Sequence, residues 1–236
     1  MGTADLHIHS TYSDGIATIE QILDYSEHRT TLQVIAITDH DCIDSALRAR
    51  DQAVKNRLRI QVVVGSEITT RDGHLLALNI ECLIPAGLSM VESIAAIHEQ
   101  NGMAIIAHPL SQWCPSATLT TLHSLVENPP DGLEVHNASP ACIANNQRAR
   151  VANNLYLGWA TTGSSDAHTL DAIGSSYTRF PGSSAADLMT AIRHKTTVAI
   201  NGYWPITALA NYGYHALRDN IYQIYQAKRP LISNPR

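Results

Sequence analysis

Short apolar segments alternate with amphipathic segments along almost the whole 236-residue chain. Several of the apolar segments are nearly continuous, which is typical of strands buried on both faces of a sheet. The predicted strands are residues 4–9, 34–38, 61–66, 75–80, 104–108, 132–136, 159–164 and 197–200.

The segments between these strands carry apolar residues at helical spacing. Thr18 and Gln21 form a capping-box pattern that opens a helix through His28. The other predicted helices are residues 43–57, 89–101, 117–126, 142–154 and 184–194. Strand–helix alternation of this kind predicts a single α/β domain on a largely parallel sheet, open or closed into a barrel. We place this domain at residues 1–204 and expect residues 205–236 to form a helical extension packed on its outside.

Composition narrows the class of protein. Hydrophobic residues make up 44% and charged residues 16% of the chain, and the net charge is −5, so no basic face for long duplex nucleic acid is expected.

Four cysteines lie far apart without a CxxC pair and indicate reduced thiols rather than a disulfide framework. No signal peptide and no apolar run long enough for a bilayer are found, so we expect a cytoplasmic protein without membrane contact.

The twelve histidines are the unusual feature, because many of them follow predicted strands together with carboxylates. Carboxyl ends of parallel strands converge on one edge of an α/β sheet, so these side chains should share a site. Each of them alone has a structural explanation, but ionisable groups at most strand ends would be costly to bury without a common partner. Imidazole and carboxylate together suit zinc, manganese or iron. The residues at this predicted edge are His7, His9, Asp14, His40, Glu67, His74, His108, Asp166 and His168.

The motifs around these residues resemble those of the PHP (polymerase and histidinol phosphatase) family of the amidohydrolase superfamily. They are DLHIHSTYSDG at 5–15, ITDHD at 37–41, GSEIT at 65–69, GHLLAL at 73–78, AHP at 107–109 and GSSDAH at 163–168. The resemblance implies a distorted (β/α)₇ barrel with up to three divalent metal ions, Mn, Zn or Fe. The implied ligand sets are His7, His9, Glu67 and Asp166 for the first metal, Glu67, His74 and His108 for the second, and Asp14, His40 and His168 for the third.

The same resemblance implies a phosphoric ester hydrolase. Its expected nucleophile is a hydroxide that bridges the metals, with Asp166, His40 and His168 handling protons. The expected substrate is a small phosphate monoester, or a nucleotide or short oligonucleotide. The segment between AHP and SDAH is short for a nucleoside-binding insertion, so the sequence does not decide between these substrates. Arg148 and His136 are the candidate substrate-binding residues.

Two other functions fit parts of the pattern. An amidohydrolase that cleaves C–N bonds would commonly use a lysine-derived carboxylate bridge, whereas Glu67 fills that place here. A non-catalytic metal-binding accessory module would typically lose ligands, and this chain keeps the whole set. The sequence therefore favours the phosphoesterase.

Overall fold

The strands form one strongly curved sheet whose two ends approach each other, with helices on its outside. A computed structural model of the chain describes the backbone of residues 1–227 and the side chains of residues 1–218. The strands in this part are β1 (Gly2–Asp5), β2 (Val34–Ile37), β3 (Gln61–Thr70), β4 (Gly73–Leu78), β5 (Met103–Ile106), β6 (Gly132–Asn137), β7 (Ala160–Ser164), β8 (Tyr177–Phe180) and β9 (Val198–Ile200). The α-helices are α1 (Ile19–Arg29), α2 (Asp44–Lys55), α3 (Met90–Glu99), α4 (Leu119–Ser124), α5 (Asn146–Ala152), α6 (Ala185–Arg193) and α7 (Ile206–Ala227).

The sheet order is β7-β6-β5-β4-β3-β2-β1-β8-β9. Four neighbouring pairs are parallel, namely β1–β2, β2–β3, β5–β6 and β6–β7, and the other four are antiparallel. The expectation of a largely parallel sheet is therefore wrong in this respect. Two of the antiparallel pairs, β3–β4 and β4–β5, follow from the two-residue turn Arg71-Asp72, which joins β3 directly to β4 without a helix and so reverses the chain.

Backbone hydrogen bonds close the sheet at the edge that carries the histidine motif. Ala167 donates from its backbone N–H to the His7 carbonyl at 3.1 Å, and His9 donates to the Ala167 carbonyl at 2.9 Å. On the same side, the Thr178 hydroxyl donates to the Gly163 carbonyl and links β8 to β7. These contacts confirm the distorted α/β barrel expected for the single domain.

Alternate residues of the buried strands enter two apolar clusters on opposite faces of the sheet. Ile35 and Ile37 of β2 belong to the cluster that packs against α1 to α3. Val34 and Ala36, from the same strand, belong to a second cluster that includes Leu188 of α6. Successive side chains of a strand point to opposite faces of the sheet, which explains this division. The polar groups lie beyond these apolar positions, at the carboxyl ends of the strands.

The predicted capping box at the start of α1 is confirmed. The Thr18 hydroxyl accepts from the Gln21 backbone N–H at 3.3 Å, and the Gln21 side chain accepts from the Thr18 N–H at 2.9 Å. We expect Thr18→Ala to lower the free energy of unfolding by about 1 kcal/mol, because the Gln21 N–H in the first turn loses its side-chain acceptor. Urea denaturation measures this loss. Thr120→Ala, at an exposed position in the first turn of α4, is the matched control and should change stability by no more than a few tenths of a kcal/mol.

The predicted C-terminal extension begins with α7, whose first half contacts the barrel. The Asn211 amide donates to Asp171 Oδ2 at 2.9 Å, just beyond the GSSDAH motif. Residues 228–236 of the extension lie outside the described part, so the division at residue 204 stays a prediction. Within residues 1–227, no helix is both long enough and apolar enough to cross a bilayer.

Candidate metal centre

Glu67 lies at the centre of a group of imidazoles at the carboxyl edge of the barrel, and it is 1% exposed. Its Oε1 is 2.8 Å from His74 Nδ1 and 2.9 Å from His108 Nε2. Its other oxygen faces three more rings, so both oxygens are shared among histidines. The Oε2 distances are 3.1 Å to His7 Nε2, 3.3 Å to His9 Nε2 and 3.2 Å to His40 Nδ1.

Asp166 and Asp14 extend the group on its other sides. Asp166 Oδ1 is 3.5 Å from His7 Nε2 and 3.3 Å from His9 Nε2. The side chain of Asp14 is half-exposed. Its Oδ2 is 3.2 Å from His168 Nε2 and 3.7 Å from His40 Nε2, and its Oδ1 is 3.4 Å from His9 Nδ1. All nine side chains expected at this edge therefore meet in one cluster.

The ends of the strands explain this convergence. His7 and His9 point the same way because Ile8 between them forms a parallel bridge with Ala167. His40 and Glu67 form a second such bridge, just beyond the point where β2 and β3 stop pairing regularly. His74 reaches the same edge because β4 runs antiparallel, so its amino end lies where the other strands have their carboxyl ends.

Asp39 and Asp41 flank His40 and have different roles. Asp39 accepts from the Ser10 backbone N–H at 2.7 Å and from the Ser13 hydroxyl at 2.6 Å, so it holds the loop that carries Asp14. Asp41 precedes α2 but does not cap it. Its carboxylate accepts from the Thr69 N–H at 2.8 Å instead, while α2 has no side-chain cap.

The buried carboxylates of the cluster are stabilised by nearby positive charge. Burial acts to raise the pKa of Glu67, but the neighbouring imidazoles, above all His7, hold that pKa well below its ordinary value. Burial likewise acts to raise the pKa of Asp166, and His7 and His9 hold it low. The rings respond in the opposite direction: burial would lower the pKa of His9, but the nearby carboxylates of Asp166 and Glu67 raise it to about 10. In the absence of metal, protonated imidazoles therefore balance the carboxylates.

Three buried ring nitrogens fit metal ligation directly. His7 Nε2, His9 Nε2 and His74 Nδ1 make no hydrogen bond of acceptable geometry with the described residues, although carboxylate oxygens lie close to each of them. A divalent cation shared with those oxygens would satisfy these nitrogens, because neutral imidazole and carboxylate donate lone pairs to zinc, manganese and iron. The donor set thus suits divalent metal ions.

Glu134 on β6 is a buried member of the site that the motif interpretation missed. Its Oε1 is 3.0 Å from His7 Nδ1, and its Oε2 accepts from the His108 backbone N–H at 2.7 Å. Asn137 donates one amide hydrogen to Glu134 Oε2 and the other to Asp166 Oδ2, both at 3.1 Å. A charged residue within the apolar strand 132–135 was the signal that could have identified it, since a buried charge needs partners.

The two candidate substrate-binding residues lie outside the cluster. His136 is buried, and its Nε2 is 2.9 Å from the Gly202 carbonyl, a structural hydrogen bond that attaches the segment before α7 to β6. Arg148 is exposed on α5. Neither residue makes a hydrogen bond or ion pair with the nine clustered side chains, and their substrate contacts remain predictions.

Aromatic residues from the C-terminal segment form one wall of the site. Tyr212 of α7 packs its ring edge-on to His168, with centroids 5.6 Å apart, and it contacts Trp204 in the same way. The Trp204 indole donates to the Ser165 carbonyl at 2.8 Å, within the GSSDAH motif. Only the structure revealed this wall, because the contacts join segments of the chain that no local pattern connects.

Comparison with known proteins identifies the family. The PHP domain model matches residues 5–130, and the PHP-associated model matches residues 143–197. An uncharacterised protein of Methanocaldococcus jannaschii is 34% identical over 165 residues, which cover 65% of this chain and 88% of that protein.

Two further proteins are similar in sequence or fold. Phosphoribosyl 1,2-cyclic phosphate 1,2-diphosphodiesterase of Eggerthella lenta is 39% identical over 88 residues, covering 35% of this chain and 32% of that protein. A two-domain protein of Bacteroides vulgatus containing a predicted PHP-like metal-dependent phosphoesterase has the same fold, with a TM-score of 0.68 and 19% identity over 85% of this chain and 64% of its own. The domain match, which covers more than half of the chain, together with the M. jannaschii relative, shows that the chain belongs to the PHP family.

Proposed function

We propose that the chain is a metal-dependent phosphoesterase that hydrolyses a small phosphate monoester or a nucleotide or short oligonucleotide phosphoester. The observation that carries this proposal is Glu67, whose two oxygens lie within 3.3 Å of nitrogens from five histidines. A carboxylate shared in this way is suited to bridge two cations. Family membership and the phosphodiesterase activity in the name of the E. lenta relative support the same chemistry.

Up to three cations, of manganese, zinc or iron, are assigned to three groups of side chains. Bound cations neutralise phosphate oxygens and activate water for attack. The first and second groups share Glu67, and the third group includes the half-exposed Asp14. The proposed groups are His7, His9, Glu67 and Asp166; Glu67, His74 and His108; and Asp14, His40 and His168.

Side chains of the protein carry out the proposed proton transfers. Asp166 Oδ1 is the proposed acceptor of the proton lost by the attacking water. His40 or His168, once released from the third metal, donates a proton to the leaving oxygen, and both rings lie at the more exposed side of the cluster. Burial is the largest influence on His40 and lowers its pKa, although the charge of Glu67 acts in the opposite direction. The His40 ring is therefore neutral near pH 7. A neutral ring suits His40 as a ligand of the third metal.

We expect the manganese-loaded protein to release phosphate or nitrophenol from nitrophenyl phosphoesters. Treatment with EDTA should abolish turnover, and added Mn²⁺ should restore it, because no side-chain nucleophile is assigned. Release is measured against a panel of monoesters, diesters and nucleotides, with metal content determined on the same preparation. Turnover that survives complete removal of metal would contradict the proposal.

The amidohydrolase alternative is tested in the same assay. Among the described residues, Lys55 and Lys195 are exposed at helix ends, and neither bonds to the cluster, so no lysine stands where a bridging carboxylate would form. Amide hydrolysis without phosphoester hydrolysis would nevertheless replace our proposal with this one. A metal-loaded protein that cleaves no member of either panel would instead favour an accessory metal-binding module.

A further inference from the structure

Two cysteines that are far apart in sequence meet beside the metal centre. Cys114 lies between β5 and α4, Cys142 follows β6, and their sulfur atoms are 3.3 Å apart. Cys142 is buried and Cys114 is half-buried, and both are free thiols. Neither Cys42 nor Cys82 has a sulfur partner among the described residues. The prediction of reduced thiols agrees with this pair, but the sequence spacing did not indicate that the two sulfur atoms meet.

The pair is connected to His108 through a short, strained loop. Ligand atoms of His108, Cys114 and Cys142 all lie within 4.8 Å of one another. Ser116, two residues after Cys114, donates to the His108 carbonyl at 2.9 Å, and its hydroxyl is 3.1 Å from the ring Nδ1. His108 and Leu110 have φ values of +27° and +66°, so the loop begins in a conformation that non-glycine residues rarely adopt.

We propose that Cys114 and Cys142 form a peroxide-sensitive disulfide that links the β5–α4 loop to the segment after β6. A disulfide has sulfur atoms about 2.05 Å apart, so closure needs a movement of about 1.2 Å. In the step, two thiols and one hydrogen peroxide give one disulfide and two waters. The S–S bond forms, the O–O bond breaks, and both thiol protons end on the water molecules.

A metal held by the same three residues is the competing explanation, and the contacts of His108 disfavour it. Its Nε2 is engaged by Glu67 Oε1 at 2.9 Å, and its Nδ1 is engaged by the Ser116 hydroxyl. With both ring nitrogens in use, the two sulfur atoms have no third ligand in this arrangement. Two thiols alone fall short of the four ligands that a structural zinc site requires.

Closure of the disulfide should disturb His108, and this part of the inference rests on the proposed function. Movement of Cys114 toward Cys142 pulls the loop that carries Ser116, which holds both the carbonyl and the ring of His108. The Ser111 hydroxyl already donates to the Ala141 carbonyl at 3.1 Å, so the two segments have little freedom to absorb the movement elsewhere. We therefore expect oxidation to lower phosphoester turnover by about tenfold or more.

The experiment treats the reduced, manganese-loaded protein with a small excess of hydrogen peroxide, quenches it with catalase, and alkylates free thiols under denaturing conditions. Intact-mass analysis should show two alkyl groups fewer than in the reduced, alkylated protein, and peptide analysis should show a linked Cys114–Cys142 peptide. Dithiothreitol added before alkylation should reverse both the linkage and the fall in turnover. Cys114→Ser and Cys142→Ser should abolish the linked peptide and the sensitivity to peroxide. Cys82→Ser, at an exposed position, is the matched control and should behave like the wild-type protein.

The outcomes separate the two parts of the inference. A wild-type protein that keeps all four thiols, or links Cys114 only between molecules, overturns the disulfide. The disulfide is also overturned if the wild-type protein holds one zinc ion tightly and both Cys114→Ser and Cys142→Ser lose it. A complete disulfide with unchanged turnover overturns the link to His108 alone. A reduced protein without phosphoesterase activity contradicts the proposed function, whereas the mass shift still decides the disulfide.

Discussion

Asp166→Asn is expected to lower phosphoester turnover by about 10³-fold while the barrel stays folded. The substitution removes the negative charge between His7 and His9 and with it the proposed proton acceptor. Asparagine is preferred to alanine because residue 166 has φ of +51°, which asparagine tolerates, and because its side-chain oxygen can still accept from Asn137. Turnover, metal content and thermal unfolding are measured on the same preparation.

Asp171→Asn is the matched control for this variant. It makes the same chemical change five residues later, where the carboxylate accepts from Asn211 alone among the described side chains and stays outside the metal cluster. We expect it to retain the wild-type rate. An Asp166→Asn variant with wild-type turnover would show that the reaction does not depend on the cluster.

The location of the cluster was predictable because it depends on a local rule. The side chains after a parallel strand lie at one edge of the sheet, and the sequence marks those positions with His7, His9, His40 and His108. His74 reached the same edge for a different reason, because it begins an antiparallel strand. A strand–helix alternation alone did not predict this reversal, which depends on the turn at residues 71–72.

The contacts that the sequence did not predict join distant segments. Glu134 lies 127 residues from His7, and Cys114 lies 28 residues from Cys142. No periodicity or spacing connects such pairs, because their distance depends on how the loops at the edge pack. By contrast, the Thr18 capping box lies within one helical turn and was predicted from four residues.

Glu134→Gln is expected to weaken metal binding by about 10- to 100-fold, because the amide cannot reproduce both roles of the carboxylate. One carboxylate oxygen faces His7 Nδ1, and the other accepts from the His108 N–H and the Asn137 amide. If the amide oxygen keeps the two donors, the amide NH₂ faces His7 Nδ1. That ring must then accept there and carry its proton on Nε2, the nitrogen that lies 3.1 Å from Glu67.

The protonated Nε2 has no lone pair left for a cation, so the loss of affinity should come from a change of tautomer rather than from unfolding. Competition with a chromophoric chelator measures the affinity. Histidine ¹⁵N NMR of the metal-free protein, at a pH high enough for the His7 ring to be neutral, shows which of its nitrogens carries the proton. Glu127→Gln makes the same change at an exposed position after α4 and should bind metal like the wild-type protein. Unchanged affinity in Glu134→Gln would mean that Glu134 only packs β6 against β5. A tautomer shift with reduced affinity and a normal unfolding temperature would instead assign it the positioning of His7.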